Sequence, residues 1–588
     1  MMPNLIDKIG DWNPQLLREL KGRLKFFNVA IAFATSLLLQ LVVFLYQFRE
    51  SPGDRYSLTA PYCNLRQVYE QQQNRLYQQS NQSIIDEFNN FISNNFCPQN
   101  EINWQLWWRD HWEYIFLSFT VIFGFTLLVA GTYLLINDLA KEETRGTLNF
   151  IRLSPQSETS ILTGKLLGVP SLIYLTVLVA VPLHLWAGLS AQIAFSYILS
   201  YYATLIASCI FFYNAAFLFA LVSRWFSGFQ PWLGSGAVFL FLVITFQITS
   251  SDHSGAWYNS TAWLRLFAPW NVTNYLFPNL FHLDKGSTLK NLQFFYLPLG
   301  TSFVSVVCLH LLNFGLCSYG ILQALKRCFR NPQASIISKK QSYLLVTFCQ
   351  FMIWGFTLQN GNNNTWDEQV AKNFVLLAVY NLVLILSLIA VLSPHRQDVQ
   401  DWARYRHQGV SNHKSVWQDL IWSEKSPALI AIAINLTIAA IPWLVWFLLT
   451  SVVDTNNGRT EIVNEIDRFK VLLTIALSIS LMMIYATIAQ LILLLKTPKR
   501  SFWAIGTLGA AIFLPPMILE FIGISSWKYS IVWMFTTFPW AAVEHAGVTT
   551  VFMALLADLS VLALLNFQLT RQVRLAGESA MKALLAGR

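Results

Sequence analysis

Runs of about 20 apolar residues recur along this chain, each long enough to cross the hydrocarbon core of a bilayer as one helix. Inside hydrocarbon every backbone polar group must bond within its own segment, so such a run admits a helix. The first six runs are Phe26–Tyr46, Tyr114–Ile136, Leu167–Gly188, Ile198–Val222, Leu233–Ile248 and Leu297–Leu322. Six more follow: Tyr343–Leu358, Phe374–Leu392, Ala428–Val453, Val471–Leu495, Trp503–Ile522 and Val551–Leu569. They predict an all-α polytopic membrane protein of about 12 transmembrane helices. The fifth and seventh runs are short, and Ile531–Val543 reads as a re-entrant piece, so the count is good to about one. Composition agrees, because 54% of residues are hydrophobic and only 12% charged. A soluble domain carries about twice that charged fraction.

The net charge of +9 does not point to nucleic acid. The basic residues are dispersed in short loops, where anionic lipid and topology account for them. Roughly two-thirds of the 40 Lys and Arg fall in segments that are inside if the N-terminus is inside. This predicts a multi-pass protein of a bacterial-type inner membrane with both termini cytoplasmic. The first run follows a basic stretch and lacks a small-residue cleavage site, so it is expected to stay as an anchor. Of seven cysteines, Cys209, Cys308, Cys317 and Cys349 lie inside apolar runs and read as packing residues. Cys63 and Cys97 share one long polar segment, Gln47–Glu113, and are placed to pair if it faces an oxidising compartment.

Two stretches carry mechanism. Near the start, Asn13 suits a helix cap and Pro14 the first helical position. Leu16, Leu17 and Leu20 then share one face, with Arg18, Lys21, Arg23 and Lys25 elsewhere, as in an interfacial amphipathic helix. Between the second and third runs lies a dense charged turn, Lys141-Glu142-Glu143-Thr144-Arg145, followed by Gly146 as a bend. Thr147–Leu153 is amphipathic, with Leu148, Ile151 and Phe150 as candidates for its apolar face, and Ser154-Pro155 stops it. A short rigid helix there suits docking into a groove on a cytoplasmic partner.

That segment resembles the coupling-helix region of type-2 ATP-binding-cassette (ABC-2 type) exporter permeases. The matching positions are Glu142, Arg145, Gly146, Thr147, Leu148, Pro155, Gly164 and Lys165, and of these Glu142, Arg145, Gly146, Thr147 and Leu148, together with Glu143, are the residues expected to couple to the ATPase. Asn13, Pro14, Leu17, Arg18 and Glu19 look like that family's elbow helix, and the layout agrees over about residues 11–330. Thr144 departs from the family pattern, which has a second acidic residue there. The resemblance implies a six-span permease domain over residues 1–330, with an outer loop at 47–113, that contacts a separate ATPase dimer. ATP and magnesium would sit on that partner, with no cofactor on this chain. A second permease half is also implied, either a second copy, a paralogue, or residues 331–588, which hold six further spans of unclear role. Trp417–Trp422 before the ninth run only loosely echoes Asn13–Arg18, which favours a second chain.

The sequence carries no Gly-x-x-x-x-Gly-Lys-Ser/Thr phosphate loop; Gly164-Lys165-Leu166 lacks both the upstream glycine and the hydroxyl. Glu544-His545 has no nucleophile or second carboxylate beside it, so an enzymatic reading gains nothing. Asp558 and Glu520 lie within apolar runs, where a carboxylate needs a partner, a proton or water. They are candidates for an intramembrane polar site, and they support an alternative reading as a secondary transporter or channel. A membrane assembly or sensor protein that binds through the outer loop is the third reading.

Overall fold

The apolar runs fold as helices, and among the described residues eleven helices are long and apolar enough to cross a membrane. The structure, a computed structural model, describes residues 3–49, 56–79, 82–223, 228–250, 261–270, 272, 292–331, 334–359, 366–407, 415–449, 465–497, 499–543 and 545–577. Two compact units are present. The first takes residues 1–257, 264–292 and 298–330; the second takes 258–263, 293–297 and 331–588.

The first unit opens with two short helices, α1 (Pro3–Trp12) and α2 (Pro14–Arg23), before the first span, α3 (Phe26–Phe48). A pair of polar helices follows, α4 (Arg66–Gln79) and α5 (Gln82–Asn94). Ile85 and Ile92 are buried there, and Cys63 and Cys97 form a disulfide with their Cα atoms 5.9 Å apart. Next comes one continuous rod from Trp104 to Thr144. It consists of α6 (Trp104–Phe125), a π-helical turn at Thr126–Ala130, and α7 (Gly131–Thr144). Such a turn disturbs the regular carbonyl pairing of a helix, often where function needs it. Here the Tyr213 hydroxyl donates to the Leu127 carbonyl at 2.7 Å. Gly131 makes room for it, since a Cβ there would lie 2.2 Å from that hydroxyl.

After the rod come α8 (Thr147–Arg152) and α9 (Glu158–Gly168), then the spans α10 (Ser171–Ser190), α11 (Phe195–Val222), α12 (Gln230–Ser250) and α13 (Phe303–Arg330). Helix α11 packs on α7 and α13, while α10 packs on α3 and α6. The aromatic, Pro-marked segment Ser250–Phe295 reads as lying against the membrane; of its described residues, Ala268, Trp270 and Val272 are fully buried in the first unit. Trp270 is fully buried against Gly124 of α6, and its indole N–H donates to the Leu242 carbonyl of α12 at 3.1 Å. With its one polar atom satisfied, the ring stabilises the interior as an apolar filler.

The second unit holds α14 (Lys339–Thr357), α15 (Trp366–Leu392), two short helices α16 (Arg396–His407) and α17 (Val416–Trp422), and the spans α18 (Leu429–Leu449), α19 (Glu465–Leu493), α20 (Arg500–Phe521) and α22 (Val548–Gly577). Helix α14 covers the seventh run; Lys339, Lys340, Gln341 and Gln350 leave it less apolar than the eleven. Helix α19 is central, packed by α18, α20 and α22. Between α20 and α22 the chain makes a short helix, α21 (Ser530–Trp533), and a turn. Trp533, Met534 and Ala542 are buried there against Leu477 and Leu481 of α19, where the re-entrant piece was expected.

Candidate coupling site

Asn13 does two jobs at the start of α2. Its Oδ1 accepts the Leu16 N–H at 3.0 Å, capping the helix, and its Nδ2 donates to the Ser160 carbonyl of α9 at 2.8 Å. Pro14 occupies the first helical position, as its missing N–H allows. The face that α2 buries is not the purely apolar stripe of Leu16, Leu17 and Leu20. Leu16 is buried with Asn13, Gln15 and Glu19, whereas Leu17 and Leu20 are only half-buried. Helices α2 and α9 lie close because α9 presents glycines one turn apart. A Cβ on Gly164 would lie 2.7 Å from Asn13 Oδ1, and one on Gly168 would lie 2.5 Å from the Glu19 Cβ.

The polar face of α2 meets a charge network. Lys165 of α9 is fully buried, with its Nζ 2.7 Å from Asp138 Oδ2, 2.7 Å from Glu142 Oε2 and 3.6 Å from Glu19 Oε1. Arg18 pairs with Glu142 at 2.9 Å, and Arg23 bridges Asp138 at 2.5 Å and Glu19 at 3.3 Å. Three cations thus match three carboxylates from three elements: α2, the end of α7, and α9. Burial alone would push the Lys165 ammonium down; Asp138, Glu142 and Glu19 outweigh it and hold its pKa above the ordinary lysine value. The three carboxylates lie within 4.8 Å of one another, a spacing that would also suit a metal ion. The Lys165 ammonium already supplies the positive charge they require.

Four residues past Glu142 the chain turns sharply. Gly146 has φ of +72°, a left-handed conformation that L side chains rarely adopt, and nothing crowds its missing side chain. Backbone strain alone selects glycine here. The turn is tied to α7 by three bonds: Arg145 N–H to the Lys141 carbonyl (3.1 Å), Gly146 N–H to the Glu143 carbonyl (3.0 Å), and Thr147 Oγ1 to the Glu142 carbonyl (3.1 Å). In α8, Leu148 and Ile151 are buried, as the pattern predicts. Phe150 faces the other way: it is 78% exposed, and Leu153 is 84% exposed. Arg152 lies over the Phe329 ring at 5.6 Å, bracing α8 against the end of α13. Arg145 is exposed beside this tip. The arrangement is an apolar knob with a basic flank, held on a rigid stem.

The other candidates lie apart from this network. Asp558 is buried in α22 and accepts from Ser480 Oγ of α19 at 3.3 Å, while Glu520 is exposed in the last turn of α20. Glu544 lies outside the described residues. Sequence reasoning placed Glu142, Arg18 and Lys165 in motifs without joining them, and it missed Asp138 and Gly168. The Gly164-x-x-x-Gly168 spacing, a known signature of close helix approach, was the available signal for the contact.

The second unit pins a short helix in a different way. Lys339, buried at the start of α14, donates its Nζ to the Leu420 carbonyl (2.8 Å), Ser426 Oγ (2.7 Å) and the Pro427 carbonyl (3.1 Å), around the end of α17. Burial pushes its pKa down to about 8, with Asp419 and Glu424 opposing the shift. Compared with known proteins, residues 29–323 match the family model described as ABC-2 family transporter protein. No curated protein and no solved structure matches the chain.

Proposed function

The chain belongs to the ABC-2 transporter family, and from that premise we propose that it is an exporter permease subunit driven by a separate ATPase that grips α8. The observation that carries this reading is the exposed Phe150–Leu153 tip on a stem whose root, Glu142, is locked to both α2 and α9. Apolar side chains this exposed at the end of a polar loop suit a partner's groove. A push on the tip would pass through the hydrogen-bonded Gly146 turn into α7, and through Lys165 into α9 and α10. The chain would bind substrate and change conformation; ATP and magnesium would remain on the partner dimer.

The Lys and Arg distribution supports placing α2, α8 and both termini on the cytoplasmic side of a bacterial-type inner membrane. For the second permease half we favour another chain, a second copy or a paralogue. In the second unit the short helix α17, between α15 and α18, is held by Lys339 of α14 and not by a lysine–carboxylate network like that around α9, and Trp417–Trp422 only loosely echoes Asn13–Arg18.

The test is purification of the full chain in mild detergent, probing for a stoichiometric nucleotide-hydrolysing companion. Wild type should retain it. Phe150→Glu and Arg145→Glu should lose it while still inserting in the membrane. Retention by both variants, or no companion with wild type, would reject this reading.

A further inference from the structure

A cavity of about 260 Å³ lies inside the second unit, between α15, α18, α19 and the turn after α21. Small side chains leave the room: Ala378 on α15, and Ala439 and Ala440 on α18. Trp443 forms one firm wall, its ring held 5.6 Å from Trp354 and 5.4 Å from Phe374. Opposite it, Met482 supplies an adaptable surface.

The hydroxyls and the amide on the wall already have partners. Ser478 Oγ donates to the Thr474 carbonyl at 2.9 Å, and Thr474 Oγ1 to the Lys470 carbonyl at 2.8 Å. Thr537 donates to the Ile512 carbonyl at 3.2 Å and bonds the Tyr485 hydroxyl at 3.0 Å. Asn381 donates to the Leu377 carbonyl at 3.0 Å and accepts from Gln350 at 2.5 Å. A polar ligand would find little here to bond. Water needs two to four polar partners and would gain little either. Left empty, a space of this size forfeits the dispersion contacts of all its lining atoms. Hydrocarbon is the occupant that fits. Leu382 and Ile475 on the rim are half-buried within their spans, at the side of the bundle that faces the membrane. In a membrane-spanning bundle, the medium at that side is lipid.

We propose that this cavity binds one acyl chain of a membrane lipid, inserted laterally among α15, α18 and α19. The test uses the full chain in bilayer discs of phosphatidylcholine bearing a diazirine in mid-chain, irradiated and mapped by mass spectrometry. Met482 should be labelled well above Ile441, which points outward from α18 and is 50% exposed. Ala440→Trp, which fills the cavity, should abolish the excess at Met482, whereas its neighbour Ile441→Trp should leave it unchanged. Ser478→Leu fills the space from α19 and should act like Ala440→Trp; it decides alone if that variant does not fold. Labelling of Met482 no greater than of Ile441, or an excess that survives the filling variants, overturns the proposal.

Discussion

Two buried lysines, Lys165 and Lys339, have opposite chemistry. Lys165 sits among carboxylates, and removing it would leave Glu19, Asp138 and Glu142 crowded, with only the more exposed Arg18 and Arg23 to balance three negative charges. Breaking a buried pair from one side costs about 3–5 kcal/mol, so Lys165→Met should lower the thermal unfolding midpoint markedly. Its pKa is raised, so its contribution is fully present below about pH 10.5 and is lost as pH rises through the folded value. Lys339 has the reverse sign. With a folded pKa of about 8 against 10.5 unfolded, the native state sheds its proton first. The cost of burying that ammonium therefore fades as pH rises from about 8 toward 10.5. Wild type should gain thermal stability over Lys339→Met across that window, measured by melting both proteins at each pH. No divergence would mean the ammonium is not desolvated in solution. Neither role was legible from sequence. Residues 19, 138, 142 and 165 stand as single charges in separate segments, and only tertiary packing joins them.

The element that matters most is the rod of α6 and α7, which runs from the α4–α5 segment to Glu142. Its π-turn and Gly131 let Tyr213 of α11 close on the helix backbone. Gly131→Ala would drive a methyl group into that hydroxyl, at a cost of about 1–3 kcal/mol for an overpacked site. Tyr213→Phe, which removes the nearest atom, should recover part of the lost melting temperature in the double variant. No recovery would argue that the two residues do not meet. The long helices were readable because lipid leaves them one solution, and twelve runs yielded twelve helices, eleven of them apolar enough to span by composition. The amphipathic stretch of α8 was readable too, through Leu148 and Ile151. The direction of Phe150 was not, because a six-residue helix leaves its neighbours to decide which apolar side chain is covered. The π-turn left no pattern at all, since it depends on a tyrosine 86 residues away.

On the scale of the whole molecule, the family match ends near the end of α13, and all of the second unit but residues 258–263 and 293–297 lies beyond it. The layout of the sequence suggests a break near Arg330 but does not say what the later helices do, because apolar runs look alike whatever they enclose. The α4–α5 segment is stapled by Cys63–Cys97, which close a 34-residue separation. In the chain-entropy view a loop of that length contributes about 3–4 kcal/mol. Cys63→Ser should accordingly raise protease cleavage within residues 66–94 and leave the membrane helices protected; unchanged cleavage would show that helix packing alone holds the subdomain.

The central claim is that α8 meets a motor protein. A photoreactive phenylalanine analogue at Phe150, irradiated in native membranes, tests it most directly, with the same analogue at Leu178 on the exposed side of α10 as reference. The account predicts a crosslink from position 150, and not from 178, to a polypeptide that binds nucleotide. Crosslinks from position 150 to lipid alone, or to nothing, would contradict it.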